Sequence, residues 1–324
     1  MLSRVADSLY WMARYLERAE HTARVVNVHM NLELEQPQDA SFGRWARVLE
    51  SLGMDKSSAQ ELDPHSLLHL FCFEQSNPVS IISCIRSARD NARQVREQIS
   101  SEMFEHLNKL YHEVQTAAQD DLWTGDPREF LDAVKEGSLL FQGVTDSTSG
   151  HGEGWRFIQL GRFLERAFTV ATLVDVHFEY FSGDAAMRPD AGPDTADYLE
   201  WIGLLRCATA FEAYCKVYTA KIAPDRVAEF LVLNETFPHS IRFSADRVQS
   251  ALDAISAVSP SRRGAKAQRV TGRWRSALSY AQIDEIIANG LHGMMSDLKR
   301  QTTEIHSGIY KAFISYPVET ALEA

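Results

Sequence analysis

An all-α fold is predicted by three features of the chain. Apolar residues recur at alternating three- and four-residue spacings through its long segments. No segment shows the alternation of a half-buried strand. One helical stretch also occurs twice: Arg14-Tyr15-Leu16-Glu17-Arg18-Ala19 returns as Arg162-Phe163-Leu164-Glu165-Arg166-Ala167. At the same offset Ala23 matches Ala171, Val26 matches Val174, Val28 matches Val176 and His29 matches His177, with no gap. An echo this long reads as an internal duplication.

Residues 2–34 form the first long helix. Its stripe is Val5, Leu9, Met12, Leu16, Ala19, Ala23, Val26 and Met30, and no Gly or Pro precedes Pro37. The other face carries Asp7, Tyr10, Arg14, Glu17, Arg18 and His21 before turning apolar at Val25 and Val28. A helix apolar on much of its circumference is expected at the centre of the molecule. Short helices are expected at 41–53, on Trp45, Leu49 and Leu52, and from Pro64 to about 73. After the break at Asn77-Pro78, a helix over 79–100 uses Ile82, Ile85, Ala88, Ala92, Val95 and Ile99. Ser100 or Ser101 caps the next, which buries Leu107, Leu110 and Val114. Gly125-Asp126-Pro127 starts a helix to about 141, and the Gly-, Ser- and Thr-rich stretch 143–154 reads as a loop.

The second long helix spans about 155–182, with Phe157, Leu160, Leu164, Ala167, Ala171, Val174 and Phe178 in the positions of the first stripe. Residues 183–194 read as a linker, and a helix over 195–220 carries Trp201, Leu204, Leu205, Ala208, Phe211 and Tyr214. Pro224 starts a short helix, and Pro238 starts one reaching about 258. Residues 259–264 read as a basic loop, and two or three helices follow to about 316. Trp45 and Leu49 align with Trp201 and Leu205, and Pro64…Pro78-Val-Ser80-Ile81 aligns with Pro224…Pro238-His-Ser240-Ile241. The expected architecture is therefore an internally duplicated, pseudo-twofold helical bundle with two long central helices. Its repeats are 1–150 and 151–324, packed as one globular unit.

With 324 residues and 45% hydrophobic content the chain can bury a large core. A net charge of -11 argues against nonspecific nucleic-acid binding, which needs clustered Lys and Arg. Cys72, Cys84, Cys207 and Cys215 form no C-x-x-C pair, and no H-x-x-x-H or H-E-x-x-H occurs, so neither a metal site nor a cofactor is expected. Few cysteines and no membrane span point to a cytoplasmic protein, and Arg4, Asp7, Arg14 and Glu17 interrupt any signal-like run. Gly-rich phosphate loops and nucleophile-elbow motifs are missing, which argues against a familiar hydrolase, kinase or dehydrogenase. Self-association stays open.

Arg14, Glu17 and Arg18 project from one helix face within a turn, as do Arg162, Glu165 and Arg166. If the two copies meet, four guanidiniums face two carboxylates, and the surplus needs an acidic partner such as Asp7 or a bound carboxylate or phosphate. Three uses follow. The leading one is a set of structural salt bridges holding two halves in register. The next is an anion-binding site, and the last a catalytic Glu17 or Glu165, which flanking guanidiniums disfavour as a general acid. His21 is replaced by Thr169 in the second copy, which makes it a candidate for an asymmetric role. His29 and His177 are expected to cap carbonyls or fill polar core sites. Arg86, Arg89, Arg93 and Arg96 form a basic stripe expected to be solvated and salt-bridged.

The opening Met1-Leu-Ser-Arg-Val-Ala-Asp-Ser-Leu-Tyr-Trp-Met-Ala-Arg-Tyr-Leu-Glu-Arg-Ala-Glu-His-Thr-Ala-Arg24 resembles that of alpha-E domain proteins, named for a helical domain with a Glu-Arg motif. Ser87-Ala-Arg-Asp-Asn-Ala-Arg-Gln-Val-Arg96, Gly161-Arg-Phe-Leu-Glu-Arg166 and Gly290-Leu-His292 extend the resemblance over nearly the whole chain. The second copy departs at Phe168-Thr-Val-Ala-Thr172, so no Arg24 equivalent is repeated. The resemblance implies a bacterial, all-helical protein. It also implies genes beside ATP-grasp-type ligases and transglutaminase-like cysteine peptidases, and so a pathway that makes or breaks amide bonds. The expected role is an accessory or scaffold protein for such partners. The alternative is a ligand-binding protein or enzyme with an anionic or peptidic substrate on Arg14, Glu17, Arg18, His21, Arg162, Glu165 and Arg166.

Overall fold

The computed structural model describes residues 1–35, 41–119, 126–181, 195–219, 221–258 and 262–315. In chain order the helices are α1 (Ser3–Glu35), α2 (Ser41–Ser51), α3 (Ser58–Glu61), α4 (Pro64–Cys72), α5 (Ile81–Gln94), α6 (Ser101–Gln119), α7 (Pro127–Thr148) and α8 (Glu153–Phe181). Then come α9 (Thr195–Cys207), α10 (Phe211–Tyr218), α11 (Pro224–Leu233), α12 (Ile241–Val258), α13 (Arg262–Tyr280), α14 (Ile283–Asn289) and α15 (Leu291–Ile309). A 3₁₀ turn at Arg96–Gln98 and a π turn at Tyr310–Ile314 complete the set, and no strand occurs among the described residues.

The starts of several helices follow from capping chemistry. Asp63 accepts from the backbone N–H of His65 at 3.0 Å and of Ser66 at 3.2 Å, with Pro64 at the first helical position. Ser80 Oγ accepts from Ser83 N at 3.3 Å, and Ser240 Oγ accepts from Phe243 N at 3.0 Å, so α5 and α12 begin alike. Ser100, rather than Ser101, caps α6 through Met103 N at 3.1 Å.

Several expectations are corrected. Helix α7 does not stop near 141 but runs to Thr148, because the Thr145 and Thr148 hydroxyls donate to the carbonyls of Phe141 (2.7 Å) and Val144 (2.8 Å) within the helix. The expected loop is thereby cut to a short turn before Glu153. The single helix over 195–220 is broken into α9 and α10 by Thr209 at φ 54. Ala210 N there bonds back to Leu205 O at 2.7 Å, and the bend buries Ala208, Ala210 and Tyr214 together. The helix over 79–100 ends at Gln94 and passes through the 3₁₀ turn, and α12 starts three residues after Pro238. The basic stretch at 262–264 is the first turn of α13, not loop. The linker at 183–194 lies outside the described residues.

Two long helices, α1 and α8, pack along each other at the centre, and every residue of the α8 stripe is buried. Helix α8 is apolar almost all round, since Ile158, Phe163, Val170 and Leu173 are buried as well. Contact is closest at Gly161. A methyl added there would land on the Tyr10 carbonyl oxygen and press on the Ala13 methyl. Around the pair, α1 packs on α5 and α7, which α6 joins, and α8 packs on α12 and α15, which α13 joins. Helix α2 lies on α8 while α9 lies on α1. One apolar cluster runs through all of these elements from Ala6 to Ile314.

Candidate functional site: a crossed Glu-Arg cluster

The charged turns of α1 and α8 meet inside the molecule, and each glutamate is held by the other helix. Glu165 accepts from Arg14 Nε on Oε2 and from Arg18 Nε on Oε1, both at 2.7 Å. Glu17 accepts from Arg166 Nε on Oε1 at 2.5 Å and from Arg166 Nη2 on Oε2 at 2.9 Å. Arg166 also donates to the Pro238 carbonyl at 3.1 Å, and Gln142 Nε2 approaches Glu17 at 3.5 Å. Glu17, Glu165 and Arg166 are only 2%, 1% and 3% exposed. Charge-assisted, partly bidentate pairs are the arrangement that can offset the desolvation of such groups. Burial works against ionising Glu165, but the charges and hydrogen bonds of Arg14 and Arg18 outweigh it and hold the carboxyl below its ordinary value.

The rest of the motif is used unequally. On the Arg14 side, His306 Nδ1 lies 2.9 Å from Tyr10 Oη and 3.2 Å from Arg14 Nη1, and the His306 and Tyr10 rings stack. A neutral Nδ1 accepts from both. Burial, then the nearby Arg14 charge, lowers the His306 pKa to about 4. Arg162 does not reach Glu17: its Nη1 lies 3.9 Å from Asp146 Oδ2 and its Nε has no hydrogen-bond partner. His21 is buried with Nε2 unpartnered. Burial lowers its pKa to about 4, Glu17 opposing the shift and Arg24 adding to it. Asp7 is not the expected counter-charge, because its Oδ1 is buried without a partner and burial raises its pKa.

Two further ion clusters escaped the sequence. Arg44 Nε and Arg47 Nη2 converge on buried Glu200 Oε1 at 3.4 Å and 3.0 Å. His29 and His177 line the small void beside Arg47 and Glu200. His29 donates through Nδ1 to its own helix at Val25 O (2.8 Å). The aligned Trp45 and Trp201, next to Arg44 and Glu200, carried a signal for this cluster. Asp175, also buried, accepts from Lys299 Nζ at 2.6 Å and pairs with His292 Nδ1 at 2.7 Å. No local spacing announces that contact. Of the basic stripe, Arg89 bonds Asn108 at 3.3 Å and covers the Tyr111 ring, while Arg96 covers Phe104. Among the described residues, no group of three or more His, Cys, Asp and Glu is arranged to hold a metal ion. None of the helices is long and apolar enough to cross a membrane. Two cavities lie away from the glutamates. An apolar one of about 220 Å³ lies between α6 and α7 around Leu110 and Phe130, and one of about 470 Å³ lies beside the π turn around Lys266 and Lys311.

Glu-Arg occurs twice in the chain, as Glu17-Arg18 and Glu165-Arg166. A family profile described as a predicted alpha-helical domain with a conserved ER motif matches residues 1–314. The chain belongs to the Alpha-E family. It is similar to an uncharacterised protein of Mycobacterium bovis and to uncharacterised proteins from two strains of Mycobacterium tuberculosis, each 21% identical over 319 residues. Each alignment covers 91% of this chain and 34% of the relative, so this Alpha-E chain spans about a third of the length of the curated relatives it matches. No solved structure matches.

Proposed function

We propose that this Alpha-E protein is a cytoplasmic helical scaffold. It acts beside an ATP-grasp-type ligase and a transglutaminase-like protein in amide-bond metabolism, and its Glu-Arg cluster is the internal lock of that scaffold. The observation that carries the reading is that all four oxygens of Glu17 and Glu165 accept from guanidiniums of the opposite helix. Carboxylates held this way on both oxygens are ion-pair partners that fix the two helices to each other. The greater length of the mycobacterial relatives supports a domain that works next to another module. The partner classes come from the family resemblance alone.

The lock is also taken to join two repeats, 1–150 and 151–324, related by a pseudo-twofold axis between α1 and α8. In support, the neighbours of α1 and α8 correspond in kind: α5, α7 and α9 for one, with α6 packed behind, and α12, α15 and α2 for the other, with α13 packed behind. The alternative, an anionic or peptidic substrate on the cluster, would meet guanidiniums of which Arg14, Arg18 and Arg166 already donate to a glutamate, leaving Arg162 as the one of the four that does not.

The test is affinity purification of the tagged full chain from its native host, read by mass spectrometry against a tag-only control. Enrichment of an ATP-grasp ligase or a transglutaminase-like protein is expected. Recovery of neither sinks the reading.

A further inference from the structure

The two motifs are not used alike. Arg14 and Arg18 share Glu165, yet Glu17 is taken by Arg166 alone and Arg162 is left over. The Arg162 side chain is 15% exposed and its Nε is shielded from water with no acceptor. Of the carboxylates near it, Glu17 is already taken by Arg166, and Asp146 stands off at 3.9 Å and already accepts from Trp155 Nε1 at 3.0 Å and Gln159 Nε2 at 3.4 Å. A guanidinium withdrawn from water with so weak a counter-charge is unfavourable.

Its surroundings add positive charge. Burial weakens the hold of Arg162 on its proton, and the Arg166 and Arg247 charges act in the same direction, with Glu17 and Asp146 opposing them. Arg166 and Arg24 are neutralised by Glu17 and Glu20, whereas Arg247 makes no salt bridge among the described residues and rests over the Phe243 ring. His239, at the start of α12, is held neutral by burial and by Arg166, Arg24, His21 and Arg162. Asp146 on α7 and Arg247 on α12 thus flank Arg162 from two helices that do not pack on each other. In a chain of net charge -11 this is a local concentration of cations.

We propose that the outer face of α8 at Arg162 binds an oxyanion, a phosphate or carboxylate group, with the Arg162 guanidinium as anchor and Arg247 as the second cationic contact. Nε and the Nη not facing Asp146 form one edge of the guanidinium fork, the edge that grips two oxygens of such a group. The anion supplies the acceptor that Nε lacks and leaves the Glu17–Arg166 pair in place. The site is independent of the scaffold reading and stands if no ligase is recovered.

The test is calorimetric titration of the full chain with inorganic phosphate and, separately, with a triglutamate peptide, against sodium chloride at equal ionic strength. Saturable binding in either arm is expected, and the arm that responds identifies the source. Arg162→Gln should weaken it by at least about ten-fold, Arg247→Gln by a few-fold, and the remote, exposed Arg300→Gln not at all. Unliganded Arg162→Gln should melt no lower than wild type, because it removes an uncompensated charge. No saturation above chloride, or wild-type binding by Arg162→Gln, overturns the proposal. Should Arg162→Gln fail to fold, undiminished binding by exposed Arg247→Gln overturns it alone.

Discussion

Truncating Arg166 and truncating Arg18 should have different consequences, although the two residues occupy equivalent places in the motif. Arg166→Ala strips Glu17 of both its guanidinium bonds and leaves a buried carboxylate with Gln142 as its remaining hydrogen-bond donor, a loss expected to cost about 3–5 kcal/mol. Arg18→Ala leaves Arg14 on Glu165 and should cost about 1–2 kcal/mol. Urea unfolding of both variants checks the order, and equal losses would refute the assignment of partners. Replacing Glu17 together with Arg166 by methionine should cost less than Arg166→Ala alone, since no orphaned charge remains. That charged turns repeated in sequence meet in space was legible from the repeated motif. How they divide their partners was not, because Arg162 and Arg14 are the same residue in the same motif and differ only in what α7 and α15 bring to them.

Helix α8 approaches α1 so closely at Gly161 that the usual gain from placing alanine in a helix is reversed. Gly161→Ala adds helix propensity of up to about 1 kcal/mol but drives a methyl into the Tyr10 carbonyl. Overpacking against backbone costs about 1–3 kcal/mol, so a lower thermal midpoint is expected, and a higher one would contradict the packing. Periodicity revealed both central helices because their stripes are long and uninterrupted. It failed at local events. Thr145 and Thr148 extend α7 by bonding to its own carbonyls, and Thr209 breaks a pattern whose apolar spacing runs straight through it. Side-chain bonds and single left-handed residues leave no period to detect.

For the molecule as a whole, buried histidines set the pH response. His21, His29 and His306 have values lowered to about 4 from 6.5, burial being the largest cause in each, and His177 and His239 shift the same way. The unfolded chain takes up protons near 6.5 while the folded chain does not until far lower. Unfolding therefore binds protons in between. Stability is complete above pH 6.5 and is lost as pH falls toward 4, where the depressed Glu165 carboxyl adds to the same loss. The thermal midpoint should hold from pH 7.5 to about 6.5 and fall from there to pH 5, and His21→Gln should flatten part of that slope. A midpoint that rises or stays level would rule this out.

The crossed ownership of the two glutamates makes each half of the chain depend on the other. A solitary fragment ending near Ser149 carries Glu17 without Arg166, and its complement carries Glu165 without Arg14 or Arg18. Each piece therefore leaves its own glutamate without the guanidiniums that hold it. Co-expressing 1–149 with 150–324 should then restore a soluble pair that neither piece gives by itself.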